Sequence, residues 1–556
     1  MTIGSTYDYP ALVAKHLTAH APSSWRGRFP SPPDLCFNYR KLVEQDFGIA
    51  QATQPDYKIC IVGAGITGLT AARELLRCGF NNVTLLEQSH RVGGRHLSML
   101  NRGQSPLLGQ APFEMGAMRM PMFNQAGESP LDGQSLLAYY CKLFELQLSD
   151  FPNPGTSHVR NTGIYLREGL LEGTPQPQML IWKNPQGHTP PPTEKLQEVY
   201  AKWRRFADQM THEVAQMYGT PLWESLWAAI VARYQSLSFR DLVALASVTW
   251  STRTPEDFGG LGMTQEESTL FYSIGIGDGS WGAFYDVCCL YPLRTAIFGF
   301  SSQLQLVHGR VGINGNPAPS PYLGETTLKD CNDLPFDAPR YLGLTALDEC
   351  LLFMEAKLDG KSFYDHSRQR GKGFLTDTSV TRLTKLENGQ IRLTYDWQVS
   401  SPTATSERHE DFDAVIMTLP SWIIETHIQL ENFSQAMLPY SVTNAYKTAH
   451  WEPVARSMRR SRKAFCRKTK KSPRSWSPTV LSTMCTPTAT TTPIPMTASC
   501  SVTPGRMTRP NWLLSTTKPW SISASRNWTA SSYAAPISKR RYRPTSTNKT
   551  PSSNAG

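Results

Sequence analysis

The order of elements between Ile59 and Arg95 constrains the fold of this chain more than any other feature. Ile59-Cys60-Ile61-Val62 reads as a buried strand, and Gly63-x-Gly65-x-x-Gly68 then opens a helix whose Leu69, Ala72, Leu75 and Leu76 share one face. Each glycine has its own reason. Gly63 permits a tight turn, Gly65 lets backbone approach a pyrophosphate, and Gly68 allows close helix–strand packing. The helix N-terminus offers oriented N–H groups and a partial positive charge to an anion. Val83-Thr84-Leu85-Leu86 reads as the next strand. Glu87 ends it about twenty residues after the turn, where a carboxylate accepts hydrogen bonds from ribose hydroxyls and disfavours a 2′-phosphate. Ala64 and Gln88 belong to the same expected dinucleotide site.

Val92-Gly93-Gly94-Arg95 follows the acid within a few residues. A Rossmann dehydrogenase does not require such a block. It resembles the second glycine motif of the flavin-containing amine oxidases, and the resemblance implies FAD, with Gly94 and Arg95 near its phosphates. Phe113-Glu114-Met115-Gly116-Ala117-Met118-Arg119-Met120-Pro121 resembles the segment of L-amino-acid oxidases and amino-acid 2-monooxygenases that lies beside the flavin ring. By that resemblance Gly116, Ala117 and Met118 line the cofactor, and Arg119 binds the substrate carboxylate. Physical chemistry supports the last role independently, because a guanidinium is a planar fork that stays charged. A structural ion pair is the alternative for an arginine between methionines. Phe271 to Asp286 is glycine-rich, ends in aromatics and resembles a substrate-domain segment of the phenylalanine and tryptophan 2-monooxygenase branch. Trp281, Phe284 and Tyr285 are expected to wall an apolar pocket, with a buried core turn as the other reading.

Further on, Gly373-Phe374-Leu375, Ser379 to Leu383 and Ile391 to Tyr395 read as strands, and Asp413 to Pro420 as a buried strand stopped by its proline. The last resembles a strand of the same family, and Val380 falls where family members touch the adenine. Between these parts, Leu196, Val199, Trp203, Phe206, Met210, Val214 and Met217 recur at helical spacing, and Leu222 to Tyr234 reads as a second helix. The expected fold is α/β: a Rossmann-type FAD-binding domain interleaved with an α+β substrate-binding domain. The expected divisions are an N-terminal extension (1–56), the first part of the FAD domain (57–128), a substrate domain (129–370), a return to the FAD domain with adjoining strands (371–454), and a tail (455–556).

The tail explains the net charge of +11. Residues 455–556 hold nineteen Lys plus Arg and no Asp or Glu, out of 56 basic and 45 acidic residues in the chain. Taken alone, this Ser/Thr/Pro-rich basic segment reads as a disordered nucleic-acid or membrane arm. A shifted reading frame explains it better. The resemblance runs through His450-Trp451-Glu452-Pro453 and then stops in mid-domain, and back-translation two bases later gives segments like the family's continuation. The family's C-terminal glycine-rich closing segment is not found, and its flavin-side lysine falls at Arg456; Lys447 reads as a surface residue. No residue is assigned a catalytic role.

Eleven cysteines show no C-x-x-C pair or metal spacing, which fits free thiols in a reducing compartment. The first residues have no signal-peptide core, and the most apolar stretch, Val287 to Phe300, is broken by Pro292 and Arg294. A cytoplasmic enzyme is therefore expected, with an amino acid or amine and molecular oxygen as partners. Neither membrane nor nucleic acid is expected, and a homodimer is allowed for. The resemblance implies oxidation of the α-amine of an L-amino acid, aromatic or large apolar, to the imine and 2-oxo acid with hydrogen peroxide. Oxidative decarboxylation to the amide is the alternative. An inactive remnant and a basic-tailed nucleic-acid-binding protein on a dead flavin fold are the other classes.

Overall fold

Four parallel strands in the order Phe374–Leu375, Val83–Leu86, Ile59–Val62, Ala414–Met417 carry the nucleotide half of the protein. The computed structural model describes residues 39–46, 48–89, 91–99, 113–124, 127–151, 161–166, 176–183, 189–218, 220–275, 287–298, 304–310, 343–356, 360–370, 373–398, 405–449, 454–457 and 501–504. The expectations for Trp281, Phe284, Tyr285 and residues 450–453 lie outside these.

Ile59–Val62 and Val83–Leu86 are buried throughout, as apolar runs covered on both faces must be. The pleat divides their side chains between two cores. Ile61, Val83 and Leu85 pack with Leu69, Ala72 and Leu76 of helix Ile66–Arg77 and with helix Gly343–Phe353. Cys60, Val62 and Leu86 face Val380, Leu383, Leu393, Tyr395 and Phe412 of a second sheet. That sheet pairs Thr378–Lys385, Ile391–Gln398 and Thr405–Phe412 antiparallel, with Gln429–Glu431 running parallel at its edge. Ala414–Met417 corrects the expectation of a buried strand reaching Pro420. It ends at Met417 and is half-buried, because it pairs with Ile59–Val62 on one side and with no strand on the other among the described residues. Thr418 to Pro420 turns instead into helix Ser421–His427.

A separate core forms around helix Glu194–Met217, where all seven apolar residues expected on one face are buried with Trp182, Tyr234, Phe239 and Phe271. Thr193 caps this helix by accepting from the Leu196 N–H. Pro292 does not break its segment, since it lies in the first turn of helix Leu290–Phe298, where a proline is tolerated. The expected substrate segment is shared between cores: Leu146–Asp150, Leu304–Arg310 and helices Gly343–Phe353 and Phe363–Arg370 pack with the nucleotide half. In the tail expected to be disordered, Val454–Ser457 pairs antiparallel with Ser501–Pro504, setting Arg456 opposite Val502. Both segments contain valine, a good strand former.

Candidate functional site

The glycine turn is built around contacts that only glycine permits. Gly63 adopts φ +104°, and a Cβ there would stand 2.7 Å from Thr418 Oγ1. A Cβ on Gly68 would stand 1.8 Å from the Gly63 carbonyl oxygen, so helix and strand approach as closely as backbone allows. Gly65 differs: a Cβ there would meet nothing within 4 Å, which leaves open space in front of the helix start. Gly65 is also the N-cap and supplies no side-chain cap for the first N–H groups. Glu87 Oε2 accepts from the Ala64 N–H at 2.7 Å, and Oε1 accepts from Ser89 N–H and Oγ–H at 2.9 and 2.7 Å. A carboxylate can accept about four hydrogen bonds, so capacity remains. Gln88 is exposed beside it.

The second glycine block packs onto the first. Gly65 and Gly93 form a parallel bridge, Gly93 N–H donates to the Ala64 carbonyl at 2.9 Å, and a Cβ on Gly94 would lie 3.4 Å from Gly65 Cα. Arg91 ties this block together by donating to the carbonyls of Val92, Gly94 and His96. Arg95 is exposed at its end. The chain then pairs with the expected flavin-side segment: Ser98–Met99 lies antiparallel to Phe113–Glu114, and a Cβ on Gly116 would stand 1.6 Å from the Arg95 carbonyl oxygen. Val380 is buried in the core with Cys60, Val62 and Leu86, and two residues before it Thr378 N–H donates to the Glu87 carbonyl at 2.9 Å.

A buried polar cluster holds the two glycine-containing segments against helix Gly343–Phe353. Glu114 accepts from Ser98 Oγ–H at 2.9 Å and from the Leu344 N–H at 3.0 Å, capping the helix start. Ser98 and Thr345 exchange hydrogen bonds, backbone to side chain, in both directions. Asp348, fully buried, lies 3.1 Å from His96 Nδ1, and its Oδ2 is 2.8 Å from where a Gly93 Cβ would be. Burial pushes the Glu114 carboxyl up to about 7, against the Leu344 and Ser98 hydrogen bonds that favour its charge. Burial works against a charged His96, but the charge and hydrogen bond of Asp348 outweigh it and hold the imidazole above its ordinary value.

Arg119 immediately precedes the first strand of a small three-stranded sheet. Met120–Pro121 and Leu146–Asp150 flank Leu304–Arg310, and the Arg119 guanidinium lies over the Phe151 ring with Cζ 4.7 Å from its centroid. Met118 and Phe151 pack with Leu304 and Leu306.

The model of the family described as flavin containing amine oxidoreductase matches residues 66–504. The chain belongs to that family. The match extends beyond Ala455, where the residue-by-residue resemblance ends. The flavin amine oxidoreductase is 27% identical over 304 residues to a tryptophan 2-monooxygenase of Agrobacterium tumefaciens, covering 50% of this chain and 35% of that protein. With a tryptophan 2-monooxygenase of Pseudomonas savastanoi it shares 28% over 299 residues, 50% of this chain and 48% of the relative. With a mouse L-amino-acid oxidase it shares 30% over 170 residues, 29% of this chain and 24% of the relative. It thus spans less than half the length of these relatives. The family cofactor is a flavin, FAD. The residues fit its nucleotide end: Gly65 opens onto free space, the helix start is uncapped, and Glu87 has acceptor capacity left.

Sequence reasoning missed Arg91, Thr418 and the Glu114–Ser98–Thr345–His96–Asp348 cluster. Thr418 Oγ–H donates to the Val62 and Gly63 carbonyls at 2.8 and 3.1 Å, across more than 350 positions of chain. A charged pair such as Asp348-Glu349 inside an otherwise apolar helical run is the one available signal for the cluster. Among the described residues, no group of three or more His, Cys, Asp or Glu is arranged to hold a metal, and no helix is long and apolar enough to cross a membrane.

Proposed function

We propose that the chain is an FAD-dependent oxidoreductase acting on the α-amine of an L-amino acid, yielding the 2-oxo acid, ammonia and hydrogen peroxide. One observation carries this reading. Hydrogen bonds and close backbone approaches join four segments that sequence analysis assigned to a single site, namely Gly63 to Gly68, Glu87–Gln88, Gly93 to Arg95 and Gly116 to Arg119. In this reading Gly63, Ala64, Gly65, Gly68, Gly94 and Arg95 receive the phosphates, Glu87 and Gln88 the ribose, and Val380 the adenine. Gly116, Ala117 and Met118 border the flavin ring, and Arg119 fixes the substrate carboxylate with an in-plane pair of N–H donors. Trp281 and Tyr285, outside the described residues, are assigned to the side-chain pocket from the sequence alone. Residues 57–128 and 371–454 form the FAD domain.

When bound, the flavin supplies the two-electron acceptor for the substrate Cα–H bond. The protein's own contribution is orientation, because a carboxylate held at Arg119 sets where Cα stands. Molecular oxygen is the second substrate, and the buried free thiols Cys60, Cys78, Cys141, Cys289 and Cys350 fit a reducing, cytoplasmic setting. The test is the absorbance of the purified chain near flavin wavelengths, followed by analysis of the product from phenylalanine and from tryptophan. Flavin retention and a 2-oxo acid support the reading. An amide places the chain with the 2-monooxygenases, and a chain that takes up no flavin overturns it. The half-buried strand Ala414–Met417, with one strand neighbour among the described residues, favours a second reading, an inactive remnant.

A further inference from the structure

Two segments of chain, each just outside a strand, meet at Arg119. Its guanidinium lies over the Phe151 ring with Cζ 4.7 Å from the centroid. Phe151 is itself tightly held: its N–H donates to the Leu304 carbonyl at 2.8 Å, and its ring is buried with Met118 against Leu304 and Leu306. Asp150, just before it, accepts from Gln305 Nε2 at 3.0 Å, and Gln305 is buried. Met118 and Met120, on either side of Arg119, are buried too, so the arginine backbone has little freedom. The Arg119 guanidinium therefore lies over a ring that is itself held by Met118, Leu304 and Leu306 at the end of this sheet.

We propose that Phe151 is a positioning residue for substrate recognition, holding the Arg119 guanidinium face-on to its ring so that the N–H edge meets a carboxylate. The inference rests on the reading of Arg119 as the carboxylate-binding residue. Stacking uses the face of the guanidinium, whereas its N–H bonds lie in the plane, so the two contacts do not compete. A guanidinium fixed in this way loses less freedom when it pairs with an acid, and the aromatic face offsets part of the desolvation of the cation.

The experiment uses the purified full chain and two probes that differ in charge and hardly in shape, phenylacetate and phenylacetamide, with affinities from calorimetry. The wild-type chain is expected to prefer the acid. Phe151→Leu keeps apolar volume and removes the aromatic face, and should cut that preference by about tenfold, within the range of a partly desolvated cation–π contact. Affinity for the amide should stay unchanged, which a general packing defect would not allow. Phe151→Tyr should retain the preference. A wild-type preference that survives Phe151→Leu overturns the role of Phe151 alone. A wild-type chain that does not prefer the acid overturns the carboxylate reading of Arg119 and this inference together.

Discussion

Ile61 and Ile416 stand side by side in register in one parallel sheet, yet Ile61 is fully buried and Ile416 only half. Residue type is shared, each is the other's partner, and the core behind them is the same. What differs is the cover on the outer side. Ile59–Val62 lies between two strands, whereas Ala414–Met417 has one neighbour among the described residues. Burial is thus decided by what arrives later in the fold, not by the strand itself.

The sharpest way to break this comparison is to truncate both isoleucines. Ile61→Ala should cost about 4 kcal/mol of unfolding free energy in denaturant titration, and Ile416→Ala about 1 kcal/mol, because a half-covered site leaves a smaller cavity. Equal losses would mean that Ala414–Met417 is as well covered as its neighbour. Next in size, Gly68→Ala should lose about 3 kcal/mol, since its Cβ would overlap the Gly63 carbonyl. Gly65→Ala should change stability by less than about 0.5 kcal/mol, because its Cβ meets nothing. It should nevertheless weaken flavin retention, measured by absorbance after desalting. Thr418→Val removes the hydroxyl that joins the two strands at the glycine turn and should cost about 1 kcal/mol.

A further expected effect is a dependence on pH. Glu114 has a folded value of about 7, above its ordinary carboxylate value, and His96 is also held above its own. In both cases the folded state binds the proton more tightly than the unfolded state. Their contribution to stability is therefore present in acid and is lost as pH rises from the carboxylate range through about 7 and beyond the His96 value. The thermal midpoint should fall over this window, and Glu114→Gln should flatten its lower part. A midpoint that rises with pH through the window would rule out the buried cluster as its source.

The part of the site that was legible in the sequence is the part held together locally. Gly63, Gly65, Gly68 and Glu87 lie on one strand–turn–helix–strand unit, so their spacing alone places them, and the apolar face from Leu196 to Met217 is equally local. Asp348 and Thr418 were not legible as site residues, because nothing near them in sequence says that they will meet Gly93 and Gly63. The half-burial of Ala414–Met417 escaped for the same reason. An apolar run reports what a strand could bury, not how many neighbours cover it.

Helix Ile66–Arg77 is pinned at two distant places. Arg73 donates to the carbonyls of Met354 and Glu355, and Arg77 to those of Val43 and Gln45. A growing chain can bring residues 43 and 45 to this helix as soon as the helix exists. The clasp at residues 354 and 355, like the one between His96 and Asp348, waits for more than 250 further residues to be made. Until then the glycine turn is a hairpin-scale unit with one side unsecured, so the cofactor site matures late in synthesis although its recognisable motif emerges early.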